Sequence, residues 1–308
     1  MGRENRTGHG ASAVVGDVAE RLLGVVPSED TALGYLLRLS RPRFWPYLAG
    51  PALVGVVFAA DGTGELFSPL AVALVAYFLV PANVFLYGVN DAFDAEIDAA
   101  NPKKDEGGPE VRYRDRTSIR LVILGSGLLG LGLVPWLPVV GMAVLAAYYF
   151  LAIEYSAPPL RFKTTPFLDS LSNGLYVLPG VVAYAAIEGS LPPLLAIAGG
   201  WFWTMAMHTF SAIPDIEPDR AAGVRTTATV LGERRTHAYC VAAWLAGAVV
   251  FGLLDVRLGL LLGVYPVVGA AIALSNVDVA RAYWWFPSLN TVVGALLTMG
   301  GLWVMLYA

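Results

Sequence analysis

The chain has 308 residues, 56% of them hydrophobic and only 14% charged, with a formal net charge of -4 and a mean hydropathy of +0.62. Those values exclude an ordinary soluble globular domain and point to a polytopic membrane protein that lives in the lipid bilayer; no nucleic-acid partner is expected. Cys240 is the only cysteine, which excludes an intrachain disulfide and a cysteine-based metal site.

In chain order, residues 1–31 read as a tail that is disordered or forms a short surface helix, with Val14, Val18, Leu22 and Val25 on one side of it. They lack the order of a cleavable signal. A span needs roughly 20 mainly apolar residues, and nine candidates follow, at about 44–60, 68–90, 118–136, 137–154, 167–187, 191–213, 236–254, 257–274 and 288–307. With the amino terminus inside, 19 of the 20 Lys and Arg fall on one side and only Arg257 on the other. That asymmetry supports a multi-pass protein of the cell membrane with its amino terminus cytoplasmic.

The first span is entered through Arg41-Pro42-Arg43, where basic side chains suit lipid headgroups or an anionic ligand. The second runs without a polar spacer into Asn90-Asp91-Ala92-Phe93-Asp94-Ala95-Glu96-Ile97-Asp98. On a continued helix Asn90, Asp94 and Asp98 repeat at every fourth residue and form one polar ladder. A loop with Lys103, Lys104, Arg112, Arg114 and Arg116 comes next, placed to close over a ligand. Gly125, Gly127, Gly130 and Gly132 in the third span suit close helix packing.

Span four ends in Glu154-Tyr155-Ser156-Ala157-Pro158-Pro159-Leu160-Arg161-Phe162-Lys163, where two prolines stop the helix beside a tyrosine and two cations. Span six carries His208, read as a hydrogen-bonded helix residue, and then Asp215-Ile216-Glu217-Pro218-Asp219. Pro214 and Pro218 require that helix to end or kink. The loop after it contains Arg225. Both acidic clusters fall on the cytoplasmic side, because four spans separate them.

Two carboxylate clusters at one membrane face repel unless cations lie between them. Mg²⁺ prefers hard oxygen ligands and commonly bridges carboxylates to substrate phosphates. With basic side chains on the remaining phosphate oxygens, such a site stabilises a departing diphosphate, and what departs is a carbon group able to carry positive charge. An allylic isoprenoid diphosphate fits. Phe85, Tyr87, Tyr148, Tyr149 and Tyr176 are candidates to face the cation, and ordinary packing explains them equally. A membrane transporter could also use intramembrane acids, but would spread them towards the midplane.

At these residues the sequence resembles the UbiA superfamily of intramembrane prenyltransferases. Asn90, Asp91, Asp94 and Asp98 match its N-D-x-x-D-x-x-x-D motif, Asp215 and Asp219 its D-x-x-x-D motif, and Tyr155 to Lys163 its Y-S-x-P-P-L-[KR]-x-K pattern. The resemblance covers roughly residues 32–308 and implies an all-α fold of nine transmembrane helices around a central cavity. It implies Mg²⁺ held by Asn90, Asp91, Asp94, Asp98, Asp215 and Asp219, with Asp94, Asp98, Asp215, Asp219 and Lys163 catalytic. Arg41, Arg43, Lys103, Arg114, Tyr155, Arg161, Lys163 and Arg225 become the expected diphosphate contacts. Within the superfamily, the stretches 40–45, 101–104 with 111–113, and 210–219 are similar to lycopene elongases, which implies transfer of a C5 unit from dimethylallyl diphosphate to the ends of lycopene or a related apolar isoprenoid, a reaction that some members follow with hydration of the terminal double bond. Quinone, chlorophyll and archaeal-lipid acceptors are the alternatives within the same superfamily.

Overall fold

The computed structural model describes residues 27–95, 111–275 and 277–307. Most of the expected amino-terminal tail, together with Asp98, Lys103 and Lys104, lies outside the described residues. Every regular element among the described residues is helical.

The first helix, α1 (Ala32–Leu39), is capped by Thr31, whose side chain accepts from the Gly34 amide, and it buries Gly34, Tyr35 and Leu39. After Arg41-Pro42-Arg43 the chain enters α2 (Trp45–Ala59). The second apolar stretch is two helices in series, α3 (Pro69–Leu79) and α4 (Pro81–Asp94). Ser68 caps α3 and proline sits in the first turn, the position it tolerates best. Pro81 has no N–H to continue the ladder, and Val80 departs from helical geometry there. The polar ladder predicted from residue 90 is helical as far as Asp94, the last residue of α4.

Then come α5 (Thr117–Leu131), α6 (Val139–Glu154), α7 (Leu178–Glu188) and α8 (Leu194–Ser211). As the prolines require, α8 stops at Ser211; a 3-10 turn covers Ile213–Asp215, and a short helix, α9 (Ile216–Ala221), carries Asp219. The remaining helices are α10 (Thr227–Leu231), α11 (Glu233–Leu254), α12 (Val256–Leu262), α13 (Val264–Ala273), α14 (Val279–Tyr283) and α15 (Phe286–Tyr307).

Six helical stretches among the described residues are long and apolar enough to cross a membrane. The expected first, fourth and sixth spans are helices of 15, 16 and 18 residues outside that set. The protein is therefore a multi-pass membrane protein, while length and composition alone do not reproduce a count of nine spans.

Two apolar cores divide the bundle. One gathers buried side chains of α1 to α7, the other those of α8, α11, α13 and α15. Tyr47 of α2 belongs to the second, and Tyr176, in the turn before α7, packs against both. Close approach depends on glycine: a Cβ at Gly127 would lie 2.8 Å from the Phe85 ring, and one at Gly130 2.3 Å from the Tyr149 hydroxyl. Gly125 meets nothing within 4 Å, so only part of the predicted glycine stripe packs. Phe85, Tyr148 and Tyr149 form one ring cluster with Tyr77 and Phe78, where the Tyr77 and Tyr149 hydroxyls are 2.7 Å apart.

A second tie joins loops far apart in sequence. The buried Asp169 carboxylate accepts from the Thr227 amide at 2.9 Å and from the Thr227 hydroxyl. That same hydroxyl oxygen accepts from the Phe167 amide at 2.7 Å, holding Phe167 at φ 69°. Thr227→Val takes a donor from the buried Asp169 carboxylate and an acceptor from the part-buried Phe167 amide, and the expected cost is about 1–3 kcal/mol, read as a lowered thermal midpoint in detergent.

Candidate active site

Part of the predicted set comes together where α4 ends: Asn90, Asp91 and Asp94 meet Arg41 at the entry to α2 and Arg161 and Lys163 in the loop after α6. Asn90 donates to the Ser156 hydroxyl at 2.7 Å. Asp91 is 1% exposed and pairs with Arg41 at 2.9 Å. Asp94 pairs with Lys163 and, at 3.3 Å, with Arg161. The two faces of the acidic helix thus meet different partners: Asn90 and Asp94 face the Tyr155–Lys163 loop, and Asp91 faces the entry to α2.

Backbone geometry aims these cations. Arg41 and Arg161 sit at φ 51° and 41°, the left-handed region that side chains with a Cβ rarely enter. The Lys163 amide returns to the Tyr155 carbonyl at 3.0 Å, closing the loop on itself. Burial pushes the Lys163 ammonium down to about 8, Asp91 opposing that fall and Arg41 adding to it. It remains a cation at neutral pH, the form that binds a diphosphate.

The end of α8, which leads into the second acidic motif, meets the Tyr155–Lys163 loop. The Tyr155 hydroxyl lies 3.1 Å from His208 Nε2, seven residues before Asp215 in the chain. The hydrogen-bonded role read for His208 holds. Tyr155→Phe and His208→Phe are each expected to slow turnover by roughly tenfold, the worth of one hydrogen bond to a charged group. Because they share a contact, the double variant should be little slower than either single one, as a double-mutant cycle on turnover would read.

Beneath Arg41 lies a ring group. The guanidinium sits 4.6 Å from the Tyr87 ring centre, and the Tyr87 and Tyr176 hydroxyls are 3.4 Å apart. Phe44 lies 6.2 Å from Tyr87 and 5.5 Å from Tyr47, and Tyr47 lies 6.1 Å from Tyr176. Of the five expected ring candidates, Tyr87 and Tyr176 belong to this group, whereas Phe85, Tyr148 and Tyr149 belong to the cluster with Tyr77 and Phe78. Phe44 and Tyr47, which follow directly on the basic-proline entry to α2, join the group without having been expected there.

Other predicted contacts point elsewhere. Arg43 donates to the Trp284 carbonyl and stacks 3.7 Å from the Trp284 ring centre. Arg114 is tied to α1, with its amide on the Tyr35 hydroxyl at 2.9 Å and its guanidinium on the Glu29 carbonyl at 3.1 Å. Arg225 is exposed. No three Asp, Glu, His or Cys side chains cluster as a metal site among the described residues; the cations Arg41, Arg161 and Lys163 lie beside Asp91 and Asp94.

Residues 48–292 match the UbiA prenyltransferase family. The chain belongs to that family. Prenyl transfer is therefore its reaction class. The UbiA chain is 60% identical over 288 residues to a lycopene elongase/hydratase of Haloarcula japonica, covering 94% of this chain and 98% of that one. It is 65% identical to a lycopene elongase/hydratase of Haloferax volcanii, covering 88% and 89%. Its fold matches a UbiA homologue from Archaeoglobus fulgidus bound to DMAPP and Mg²⁺, with a TM-score of 0.67 over 89% of this chain and 99% of that one, at 17% identity.

Proposed function

We propose that this UbiA chain transfers a C5 dimethylallyl group from dimethylallyl diphosphate to the ends of lycopene. The observation that carries the reading is identity of 60–65% to haloarchaeal lycopene elongase/hydratases along nearly the whole chain. The site's chemistry agrees: its cations suit a diphosphate, its rings suit a carbocation, and the apolar surroundings suit a polyene.

The donor set of the two acidic motifs is hard carboxylate and amide oxygen, which fits Mg²⁺. Asn90, Asp91, Asp94 and Asp98 from the first motif, with Asp215 and Asp219 from the second, would hold it. Divalent ions bound there supply charge stabilisation for the departing diphosphate. Arg41, Arg161 and Lys163 exchange their carboxylate partners in part for phosphate oxygens, and the Tyr155 hydroxyl donates to another. Lys103, Arg43, Arg114 and Arg225 remain candidate outer contacts. As the C–O bond breaks, Phe44, Tyr47, Tyr87 and Tyr176 present ring faces to the allyl cation and exclude water from it. The terminal alkene of lycopene attacks, forming the C–C bond and leaving a second, tertiary carbocation on the acceptor. That cation loses a proton or captures water.

In this reading residues 32–308 form the prenyltransferase unit and residues 1–31 a tail. Both acidic motifs and the amino terminus face the cytoplasm across the cell membrane, in keeping with the bias of Lys and Arg. The test is purified protein in lipid, supplied with dimethylallyl or geranylgeranyl diphosphate against lycopene or a phenolic acceptor. Lycopene products longer by one and two C5 units are expected, and removal of divalent ions with a chelator should abolish them. Prenylation of the phenol but not of lycopene would overturn the assignment.

A further inference from the structure

Asp169 is a carboxylate only 1% exposed, and the transfer step derived above does not use it. It stands on the helical turn Leu168–Leu171, which runs into the 3-10 turn Ser172–Tyr176. Two helices brace this turn: the Thr209 hydroxyl of α8 donates to the Ser170 hydroxyl at 2.8 Å, and the Tyr239 hydroxyl of α11 lies 2.9 Å from the same oxygen.

Hydrogen bonds leave Asp169 in two directions. Towards the second acidic motif, its carboxylate holds the amide and hydroxyl of Thr227 at the start of α10. There Thr226 and Thr229 close a capping box, with the Thr226 amide on the Thr229 hydroxyl at 2.7 Å. The Thr229 carbonyl accepts in turn from the guanidinium of Arg220, the neighbour of Asp219 on α9, at 2.8 and 3.2 Å. Towards the first motif's partners, the Asp169 carbonyl accepts from Asn173 Nδ2 at 2.5 Å, and the Asn173 side chain also hydrogen-bonds the Tyr155 hydroxyl. Thr226, Thr227, Thr229, Asp169 and Asn173 are all buried, so water does not compete for these bonds.

The residue types fit the task. Both carboxylate oxygens are taken by donors of one residue, Thr227, and an amide in that place would set an N–H against one of them. A phenol oxygen that accepts from Asn173 still has its own O–H to donate, which is what Tyr155 needs in order to hold a phosphate oxygen.

We propose that Asp169 is a positioning residue for prenyl transfer: through Thr227 on one side and Asn173 on the other, it sets the second acidic motif and the Tyr155 hydroxyl in register around one diphosphate. The proposal rests on the reading above that Tyr155, Asp215 and Asp219 serve the diphosphate and its metal. Asp169 touches neither substrate and acts only through these side chains. Displacement by about 1 Å of a group that holds a substrate is enough to cost up to 10²-fold in rate, so a braced turn between the two contacts has a direct bearing on turnover.

The test uses the full chain in lipid as wild type, Asp169→Asn, Asn173→Ala, Tyr155→Phe and the Asn173→Ala/Tyr155→Phe double variant. Three quantities are read: diphosphate release from dimethylallyl diphosphate with acceptor, equilibrium binding of inorganic diphosphate with Mg²⁺, and the thermal midpoint. Asp169→Asn loosens the Thr227 branch and is expected to weaken Mg²⁺-dependent binding of diphosphate by roughly tenfold, the scale for losing a group that orients metal ligands. Asn173→Ala loosens the Tyr155 branch and is expected to slow release by roughly tenfold per folded molecule. Added to Tyr155→Phe it should slow release by less than about twofold more, because both act on one contact. A lowered thermal midpoint with binding and release unchanged per folded molecule would make Asp169 merely structural and overturn the proposal. Independent, multiplying effects of Asn173→Ala and Tyr155→Phe would overturn it too, and that cycle decides even if Asp169→Asn fails to fold. If Tyr155→Phe itself releases diphosphate at the wild-type rate, the reading of Tyr155 as a diphosphate contact fails first and the proposal with it.

Discussion

Asp94→Asn is expected to slow diphosphate release by roughly 10²–10³-fold, the scale seen when one electrostatic partner of a transition state is removed. The substitution keeps shape and removes charge. It deletes a carboxylate that holds Lys163 and Arg161 together at the end of α4 and that belongs to the proposed metal-binding set. Asp215→Asn should fall in the same range, because the second motif is proposed to share the ligand. The assay is release of diphosphate from dimethylallyl diphosphate with acceptor present, alongside a thermal melt. Loss of rate at an unchanged melting point is the expected pattern. Loss of stability with rate retained per folded molecule would make the acids structural.

Gly55→Ala should carry the largest effect on stability. The helices α2 and α7 cross so closely that a Cβ at Gly55 would sit 2.1 Å from the Gly180 carbonyl oxygen, and one at Gly180 2.7 Å from the Pro51 carbonyl. Both obstacles are backbone, so no side-chain rotation relieves them, and the helices must separate. Overpacking of this kind costs about 1–3 kcal/mol in a side-chain core and more where backbones collide. Because α2 begins next to Arg41 and α7 follows Tyr176, separating them also moves the ring group. A reduced thermal midpoint and a raised KM are expected. Gly62→Ala, with nothing within 4 Å of its Cβ, is the control.

Local patterns carried much of this architecture. Runs of apolar residues marked where helices lie, and Pro214 marked where α8 ends, while Pro218 is accommodated inside the short helix α9. The Asn90–Asp94 spacing placed two polar side chains on the face that meets the Tyr155–Lys163 loop. What stayed hidden depends on tertiary geometry. Pro81 splits the second apolar run inside what reads as one uninterrupted span. Arg41 and Arg43 are equivalent in sequence, yet left-handed backbone at Arg41 turns it to Asp91 while Arg43 turns to Trp284. Repulsion between carboxylates led to an expectation of bridging cations, and side-chain ammonium and guanidinium groups partner Asp91 and Asp94. The Asp169–Thr227 tie, the Gly55–Gly180 crossing and the Tyr265–Asn290 hydrogen bond join residues 25 or more positions apart without a sequence motif.

The most direct measurement is equilibrium binding of a non-ionising thio analogue of dimethylallyl diphosphate, with and without Mg²⁺, to wild type, Asp94→Asn and Asp215→Asn. Metal-dependent binding in the wild type, weakened by roughly tenfold or more in each variant, is the expected result, since a lost carboxylate ligand is worth at least one charged hydrogen bond. Wild-type affinity in Asp215→Asn, or binding that ignores the metal, would contradict a single diphosphate site shared by the two acidic motifs.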